Sequence, residues 1–151
     1  MDDERNTIMS TRTTLIFGVF DGIHDGHRSF IREAKKQGER LVAIVARDSV
    51  VSNLKNKTPF HNETERIEEL LKVPEIDLVF LGDPDEGTYN IVKEVNPDII
   101  YLGYDQQALF DNLTKVINKG ILPEIKLIYG KAYEGDTLHS SILNKAHESR
   151  D

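Results

Sequence analysis

Two histidines three residues apart, His24 and His27, enclose Asp25 and Gly26 in a glycine-rich stretch of the chain. Imidazole N–H groups donate hydrogen bonds to phosphate oxygens, and the first N–H groups of a helix attract anions. If a helix begins here, Asp25 can cap its N–H groups, and Gly26 leaves room for a phosphate beside the backbone. The spacing therefore predicts a polyphosphate site made of two imidazoles and a helix N-terminus.

Fixed donors at such a site suit the transfer of a nucleotidyl group, which develops charge on the α-phosphate and on the departing pyrophosphate. No enzyme nucleophile is needed, because a phosphate on the acceptor can attack in line. Two other interpretations stay open. The histidines can lie on a solvated turn without a ligand, or Asp21, His24 and His27 can form a facial metal-ligand set. Since the histidines follow a strand end and do not share one helix face, we expect no protein-held metal.

Strand-like and helix-like segments alternate along the chain. Short runs rich in Val, Ile and Leu predict buried strands, at Thr13–Phe20, Leu41–Ala46, Leu78–Leu81, Ile99–Leu102 and Ile125–Tyr129. Helical patterns lie between them and after them, at His27–Gln37, Glu63–Lys72, Asn90–Val95, Phe110–Lys119 and Ser141–Ala146. The alternation predicts an α/β fold, a doubly wound five-stranded parallel sheet of Rossmann-like type.

Ligands of doubly wound sheets bind beyond the carboxyl ends of the strands, at the point where strand order reverses. The glycine-rich turn from Gly18 to His27 follows the first predicted strand, and the segment from Gly103 to Gln106 follows the fourth. We expect these two segments to face each other across the crevice. The polyphosphate site then has a second wall.

Composition narrows the class of protein. The chain has 151 residues, a formal net charge of −7 and no cysteine. The negative net charge argues against a general nucleic-acid binder, and the lack of thiols excludes disulfides and thiol catalysis. No apolar run of about 18 residues occurs and the start lacks a secretory pattern, so we expect a cytoplasmic protein that does not span a membrane. Residues 1–12 read as a loose tail, and residues 13–147 as a single domain.

The stretch Gly18-Val-Phe-Asp-Gly-Ile-His-Asp-Gly-His27 resembles the signature of the cytidylyltransferase-like nucleotidyltransferases. In that superfamily a Gly-Thr-Phe-Asp turn precedes a His-x-Gly-His element. Here Val19 stands where most members carry threonine, so one hydroxyl contact to the nucleotide is missing. The resemblance extends over almost the whole chain and implies a nucleotidyltransferase fold in which His24 and His27 are the catalytic residues.

Two groups within the superfamily are candidates for the group to which this chain is most similar. The segments Gly103–Gln106 and Val45–Asp48 resemble the small archaeal-type FAD synthases, which transfer AMP from ATP to FMN and release pyrophosphate. Glycerol-3-phosphate cytidylyltransferases use CTP and carry a tryptophan and a late arginine element. This chain has no tryptophan, and its matching late segment has no arginine. The FAD-synthase-like interpretation is therefore favoured, with a CTP-dependent alcohol-phosphate cytidylyltransferase as the alternative and a non-catalytic nucleotide-binding module as another.

The resemblance also implies which residues bind the nucleotide. They are Gly18, Val19, Phe20, His24, Asp25, Gly26, His27, Asp105, Tyr133, Ser140 and Ser141. Asp105 faces the ribose or base in this assignment, and the serines face the triphosphate. Asp105, Ser140 and Ser141 can each also be explained as a helix cap without a ligand.

Lys55 and Lys57, expected in a loop after the second strand, are the candidates for binding the acceptor phosphate or the pyrophosphate, although loop lysines are often only solvated. Arg66, on the next helix, can anchor that loop or form a subunit contact. The expected partners are ATP or CTP and a small phosphorylated acceptor, with Mg²⁺ or another divalent cation entering on the nucleotide. Small sheets of this type often pair, which makes a homodimer one expectation.

Overall fold

Within the part of the chain that the structure describes, five short apolar runs form one parallel sheet. The structure is a computed structural model, and it describes residues 11–55, 59–85 and 88–130. The strands are β1 (Thr13–Gly18), β2 (Arg40–Val45), β3 (Leu78–Leu81), β4 (Ile99–Leu102) and β5 (Lys126–Tyr129). The helices are α1 (Asp25–Lys35), α2 (Asp48–Lys55), α3 (Glu63–Leu71), α4 (Asn90–Val95) and α5 (Gln107–Asn118).

The strand order is β3-β2-β1-β4-β5, and all pairs are parallel. The chain moves outward from β1 to β3, then returns to the other side of β1 with β4. Strand order therefore reverses between β1 and β4, and the carboxyl ends of these neighbours border the crevice of the sheet. The predicted α/β class, the parallel five-stranded sheet and the switch point are confirmed.

Each face of the sheet is covered by helices. Side chains of β1, β2 and β4 form one core with Ile31 and Ala34 of α1 and Leu70 of α3. On the opposite face they pack with Val92 of α4 and Leu113 of α5. Burial of the sheet on both faces explains why β2 and β4 lack polar alternation. The two layers fix the orientation of β1 and hence of the turn that follows it.

The ends of several elements differ from those predicted. β1 stops at Gly18 rather than Phe20, and α1 starts at Asp25 rather than His27. Helix α2, over Asp48–Lys55, was not predicted; Lys55 therefore lies at the end of a helix and not in a loop. Apolar spacing locates the buried part of an element but not its polar first turn, which is why these boundaries shift.

Residues 1–10 of the predicted tail and the predicted helix Ser141–Ala146 lie outside the described residues. The proposed division into a tail and one domain stays a prediction. Among residues 11–55, 59–85 and 88–130, none of the helices has the length and hydropathy needed to cross a bilayer.

Candidate active site at the carboxyl edge of the sheet

The turn after β1 is tight and strained. Phe20 adopts a positive φ of 56°, an uncommon conformation for a bulky residue, and Gly22 has φ of 86°. The Phe20 ring is only 3% exposed and lies so close to Gly18 that a Cβ there would be 2.7 Å from it. A contact between Phe20 and a nucleotide is therefore limited to the backbone of the turn. Strain of this kind persists where the surrounding structure enforces it, and it is common at functional sites.

Helix α1 begins with a reciprocal cap made by the two histidines. His24 is the N-cap residue, and its Nδ1 accepts a hydrogen bond from Gly26 N at 3.0 Å. In return, His24 N donates to Nδ1 of His27 at 3.3 Å. The expectation that Asp25 caps the helix is wrong. The Nδ1 atom of histidine is attached to Cγ like the oxygens of Asp and Asn, so an imidazole can take the acceptor's place.

The capping pattern determines how each imidazole meets a ligand. Because both Nδ1 atoms accept backbone hydrogen bonds, the neutral rings carry their proton on Nε2. The rings of His24 and His27 lie face to face at an angle, with centroids 3.9 Å apart. The Phe20 ring lies 5.7 Å from that of His27 and supports it from the core side. Two neighbouring Nε2–H donors at a helix N-terminus can hold the oxygens of one polyphosphate.

The opposite wall of the crevice is fixed to β1 by Gln106. Its side-chain oxygen accepts from Gly103 N at 2.8 Å, and its amide donates to the Phe17 carbonyl at 3.1 Å. These bonds place the segment after β4 directly beside the end of β1, as the sequence predicted. Asp105 lies on this wall with an exposed side chain, one residue before the N-cap position of α5.

The guanidinium of Arg66 is completely buried and joins three segments near this turn. It donates to the carbonyls of Val19 at 2.9 Å, Ala46 at 2.8 Å and His61 at 3.0 Å. It also pairs with the Asp48 carboxylate at 2.6 Å. These described partners do not include the segment that carries Lys55 and Lys57, so the expectation that Arg66 anchors that segment stays a prediction. Its burial within the described structure leaves no guanidinium surface for a subunit contact.

Two reciprocal caps surround Arg66. Asp48 N donates to Glu63 at 2.8 Å, and Glu63 N donates to Asp48 at 3.1 Å, so each carboxylate caps the other's helix. Asn62 and Glu65 form a second capping box at the start of α3. The N-termini of α2 and α3 are thereby locked together beside the glycine-rich turn.

Asp21, in the glycine-rich turn, binds the segment that precedes α3. Its carboxylate accepts from Phe60 N at 2.7 Å and His61 N at 3.0 Å, and it lies 2.9 Å from His61 Nδ1. Partial burial acts to raise the pKa of Asp21, but the hydrogen bonds from His61 and Phe60 outweigh it and lower the pKa below its usual value. Asp21 is therefore a carboxylate engaged with its own chain.

Sequence reasoning missed this role of Asp21 because the partners are about 40 positions away along the chain. The described residues include no group of three or more His, Cys, Asp or Glu side chains placed to hold a metal ion. The facial set of Asp21, His24 and His27 is thus not formed there.

Several predicted site residues cannot be placed. Lys55 is the last residue of α2, and nothing is described of its side chain. Lys57, Tyr133, Ser140 and Ser141 lie outside the described residues. A separate cavity of about 270 Å³, with Thr13, Arg40 and Glu94 in its lining, lies between β2, β3 and α4. Neither His24 nor His27 lines this cavity, and the cavity plays no part in the candidate site.

A parallel α/β sheet with two imidazoles at the helix that follows its first strand is the arrangement expected of a nucleotidyltransferase-type fold. In agreement, the sequence model of the cytidylyltransferase-like family matches residues 15–135. The chain belongs to this family of nucleotidyltransferase enzymes, in the group that includes the archaeal relatives named FAD synthase. The resemblance noted in the sequence is confirmed.

Those relatives cover most of the chain. The FAD synthase of Thermococcus sibiricus is 41% identical over 138 residues, which are 87% of this chain and 90% of the relative. The FAD synthase of Methanobrevibacter smithii is 38% identical over 128 residues, 82% of each chain. A solved structure from Thermoplasma volcanium, titled a lipopolysaccharide core biosynthesis protein, is 35% identical with a TM-score of 0.75, covering 82% of this chain and 99% of its own.

Proposed function

We propose that this enzyme transfers AMP from ATP to FMN, producing FAD and pyrophosphate. The observation that carries the proposal is the reciprocal histidine cap at the switch point, which gives two Nε2–H donors at a helix N-terminus. The similarity to proteins named FAD synthase supports the choice of substrates. The alternative of a CTP-dependent transfer to an alcohol phosphate has the same chemistry and differs in the two ligands.

The proposed step is an in-line displacement. A phosphate oxygen of FMN attacks the α-phosphorus of ATP, a new P–O bond forms, and the bond between the α-phosphorus and the bridging oxygen breaks. The electron pair leaves with pyrophosphate. His24 and His27 donate through Nε2 to the phosphate oxygens on which charge accumulates, and the donors stand in place before the reaction. Such preorganised donors stabilise the transition state more than the ground state.

The remaining contacts of the proposal are those that the sequence analysis predicted. In the proposal, the backbone of Gly18 to Phe20 and of Gly26 lies along the nucleotide, and Asp105 faces its ribose or base from the β4 side. Lys55 and Lys57 neutralise the acceptor phosphate or the departing pyrophosphate. Tyr133, Ser140 and Ser141 complete the nucleotide site.

A divalent cation is proposed to arrive with the nucleotide. The described residues do not form a carboxylate or histidine cage, so the cation is held by phosphate oxygens and water. When bound, it neutralises phosphate charge. Within that complex the chain's own residues bind and orient the phosphates through imidazole and backbone N–H groups.

A crossed assay tests the proposal. Each of ATP and CTP is combined with FMN, and separately with glycerol 3-phosphate, in the presence of Mg²⁺. Pyrophosphate release and the product are followed by chromatography. We expect FAD only with ATP and FMN. Activity confined to CTP with glycerol 3-phosphate supports the alternative, and nucleotide binding without turnover in all four mixtures supports a non-catalytic module.

A further inference from the structure

The short segment before α3 has a backbone fixed from two sides. Asp21 binds Phe60 N at 2.7 Å and His61 N at 3.0 Å, and the buried Arg66 donates to the His61 carbonyl at 3.0 Å. Asp21 belongs to the glycine-rich turn and Arg66 also binds that turn through Val19. The segment is therefore anchored directly to the candidate active site, at the carboxyl edge of the sheet.

This anchored segment holds a large apolar side chain in water. The Phe60 side chain is 94% exposed, more than any other large apolar side chain of the described residues. Exposure of a phenyl ring is unfavourable by itself, and neither Asp21 nor Arg66 shelters the ring. An ordered backbone that presents a bare aromatic face is suited to stack against a planar ligand.

The sheet topology indicates which ligand can reach the Phe60 ring. The segment follows β2, and β2 lies on one side of β1, whereas β4 and its Gly103–Gln106 wall lie on the other side. In the proposed function the base and ribose of ATP lie on the β4 side, opposite Asp105. An in-line acceptor approaches the α-phosphorus opposite the departing pyrophosphate, and the β2 side is the part of the crevice that the base and ribose leave open to it. Phe60 is on that side.

We propose that Phe60 is a specificity-determining residue whose ring stacks on the planar, aromatic ring system of the acceptor. This inference rests on the proposed function and deepens it by assigning a site for the isoalloxazine of FMN. Asp21 and Arg66 are positioning residues in this arrangement, because they hold the backbone that carries the ring. The Phe60 ring contacts no reacting atom, so its contribution is to acceptor binding.

Kinetics of F60A and F60Y test the inference. We expect F60A to raise the KM for FMN about tenfold, the size of one aromatic contact, with kcat within about twofold and the KM for ATP unchanged. F60Y keeps a stacking ring and should stay close to wild type. I121A is the matched control, since Ile121 is also exposed (51%) and follows α5, far from the carboxyl edge.

Competition by ribose 5-phosphate, a sugar phosphate without an aromatic ring, adds a second measurement. Its inhibition constant should be the same in wild type and F60A. An unchanged KM for FMN in F60A, or a raised KM for ATP, overturns the stacking inference. So does a change in association state of F60A by light scattering, which would assign Phe60 to a subunit contact. Absence of FAD formation by the wild type contradicts the proposed function instead, so the two failures are distinguishable.

Discussion

Backbone N–H groups at the two edges of the sheet donate to different kinds of side chain. At the amino edge, backbone N–H groups that precede or begin strands donate to carboxylates. Thr13 N donates to Asp98 at 2.9 Å and Leu41 N to Asp77 at 2.8 Å. Carboxylates are good acceptors for exposed N–H groups, and these bonds fix the starts of β1 and β2.

At the carboxyl edge, the two segments that border the crevice between β1 and β4 use uncharged acceptors, whereas the carboxylates of Asp48 and Glu63 cap helices that follow β2. Gly26 N and His24 N donate to imidazole nitrogens, and Gly103 N donates to the Gln106 amide. Asp21, a carboxylate close to this edge, is turned to Phe60 and His61. Asp25 is exposed and lies 3.8 Å from Arg28.

The difference explains how a chain with net charge −7 can offer the proposed polyphosphate site. A carboxylate at the position of the helix cap would repel phosphate, while an imidazole accepts from the helix on one nitrogen and donates from the other. The amino edge can use carboxylates because no phosphate is proposed there. Substitutions of the acceptors that border the crevice at the carboxyl edge should therefore lower catalysis, and substitutions of the carboxylates at the amino edge should lower stability.

The largest effect is expected from H24N. Asparagine is a good N-cap, so helix α1 should form normally, but the Nε2–H donor is lost. Loss of one preorganised donor to a transition state typically lowers kcat about 10²- to 10³-fold. Steady-state FAD formation and urea unfolding of H24N and H27A measure the two quantities separately. Turnover at the wild-type rate in both variants would remove the imidazoles from the mechanism and with them the contrast between the edges.

R66M tests whether Arg66, which binds the turn at the carboxyl edge, also stabilises the fold. Methionine fills much of the volume but leaves the carbonyls of Val19, Ala46 and His61 without their guanidinium donor. We expect a loss of about 3 kcal/mol in the free energy of unfolding, because removing one partner of a buried charged network is costly. R28M, on an exposed arginine paired at 3.8 Å with Asp25, should cost less than about 0.5 kcal/mol. Equal urea midpoints for the two variants would contradict a stabilising role for Arg66.

Two glycine substitutions compare the edges directly. In G18A the new methyl group meets the Phe20 ring at 2.7 Å, so the ring that supports His27 must move. We expect kcat to fall about tenfold, since a shift of about 1 Å in a catalytic group can cost more than that. G120A follows α5 at φ of 80° and should cost about 1 kcal/mol of stability with activity unchanged. The comparison fails if G120A loses activity and G18A keeps it.

The sequence was sufficient for features set by local chemistry. Buried Val and Ile runs predicted the strands, and the placement of Gly103–Gln106 beside β1 followed from strand topology. The phosphate site that the glycine-rich turn predicts stays a prediction. The capping box of Asn62 and Glu65 is a feature of the same local kind, since both members lie within one turn. These signals depend on neighbours in sequence or on a rule that applies to every doubly wound sheet.

Other features depend on distant partners and could not be predicted. Asp25 was the natural candidate for the helix cap by residue type, yet the extended N-cap backbone of His24 places an imidazole there instead. The bonds of Asp21 to Phe60 and of Arg66 to Val19 join residues 39 and 47 positions apart. Helix α2 has only eight residues, and its start is capped by Glu63 from another helix.

Apart from the control variant R28M, the smallest expected effect is that of D77N at the amino edge. Partial burial acts to raise the pKa of Asp77, but the bonds from Lys35 and Leu41 outweigh it and lower the pKa from its ordinary value of 3.8. A carboxylate with a lowered pKa adds stability above its unfolded-state value, and this stability is lost as pH falls through the folded-state pKa.

D77N should therefore cost about 0.5–1 kcal/mol at pH 7, since the pair with Lys35 is partly exposed and screened. Below about pH 4 the difference from wild type should shrink, because protonation removes the same carboxylate charge from the native protein. Urea unfolding at pH 7, 5 and 3 measures this convergence, and FAD formation at pH 7 should be unchanged. If D77N instead lowers kcat without a stability change, the amino edge takes part in catalysis, and the functional separation of the two edges is wrong.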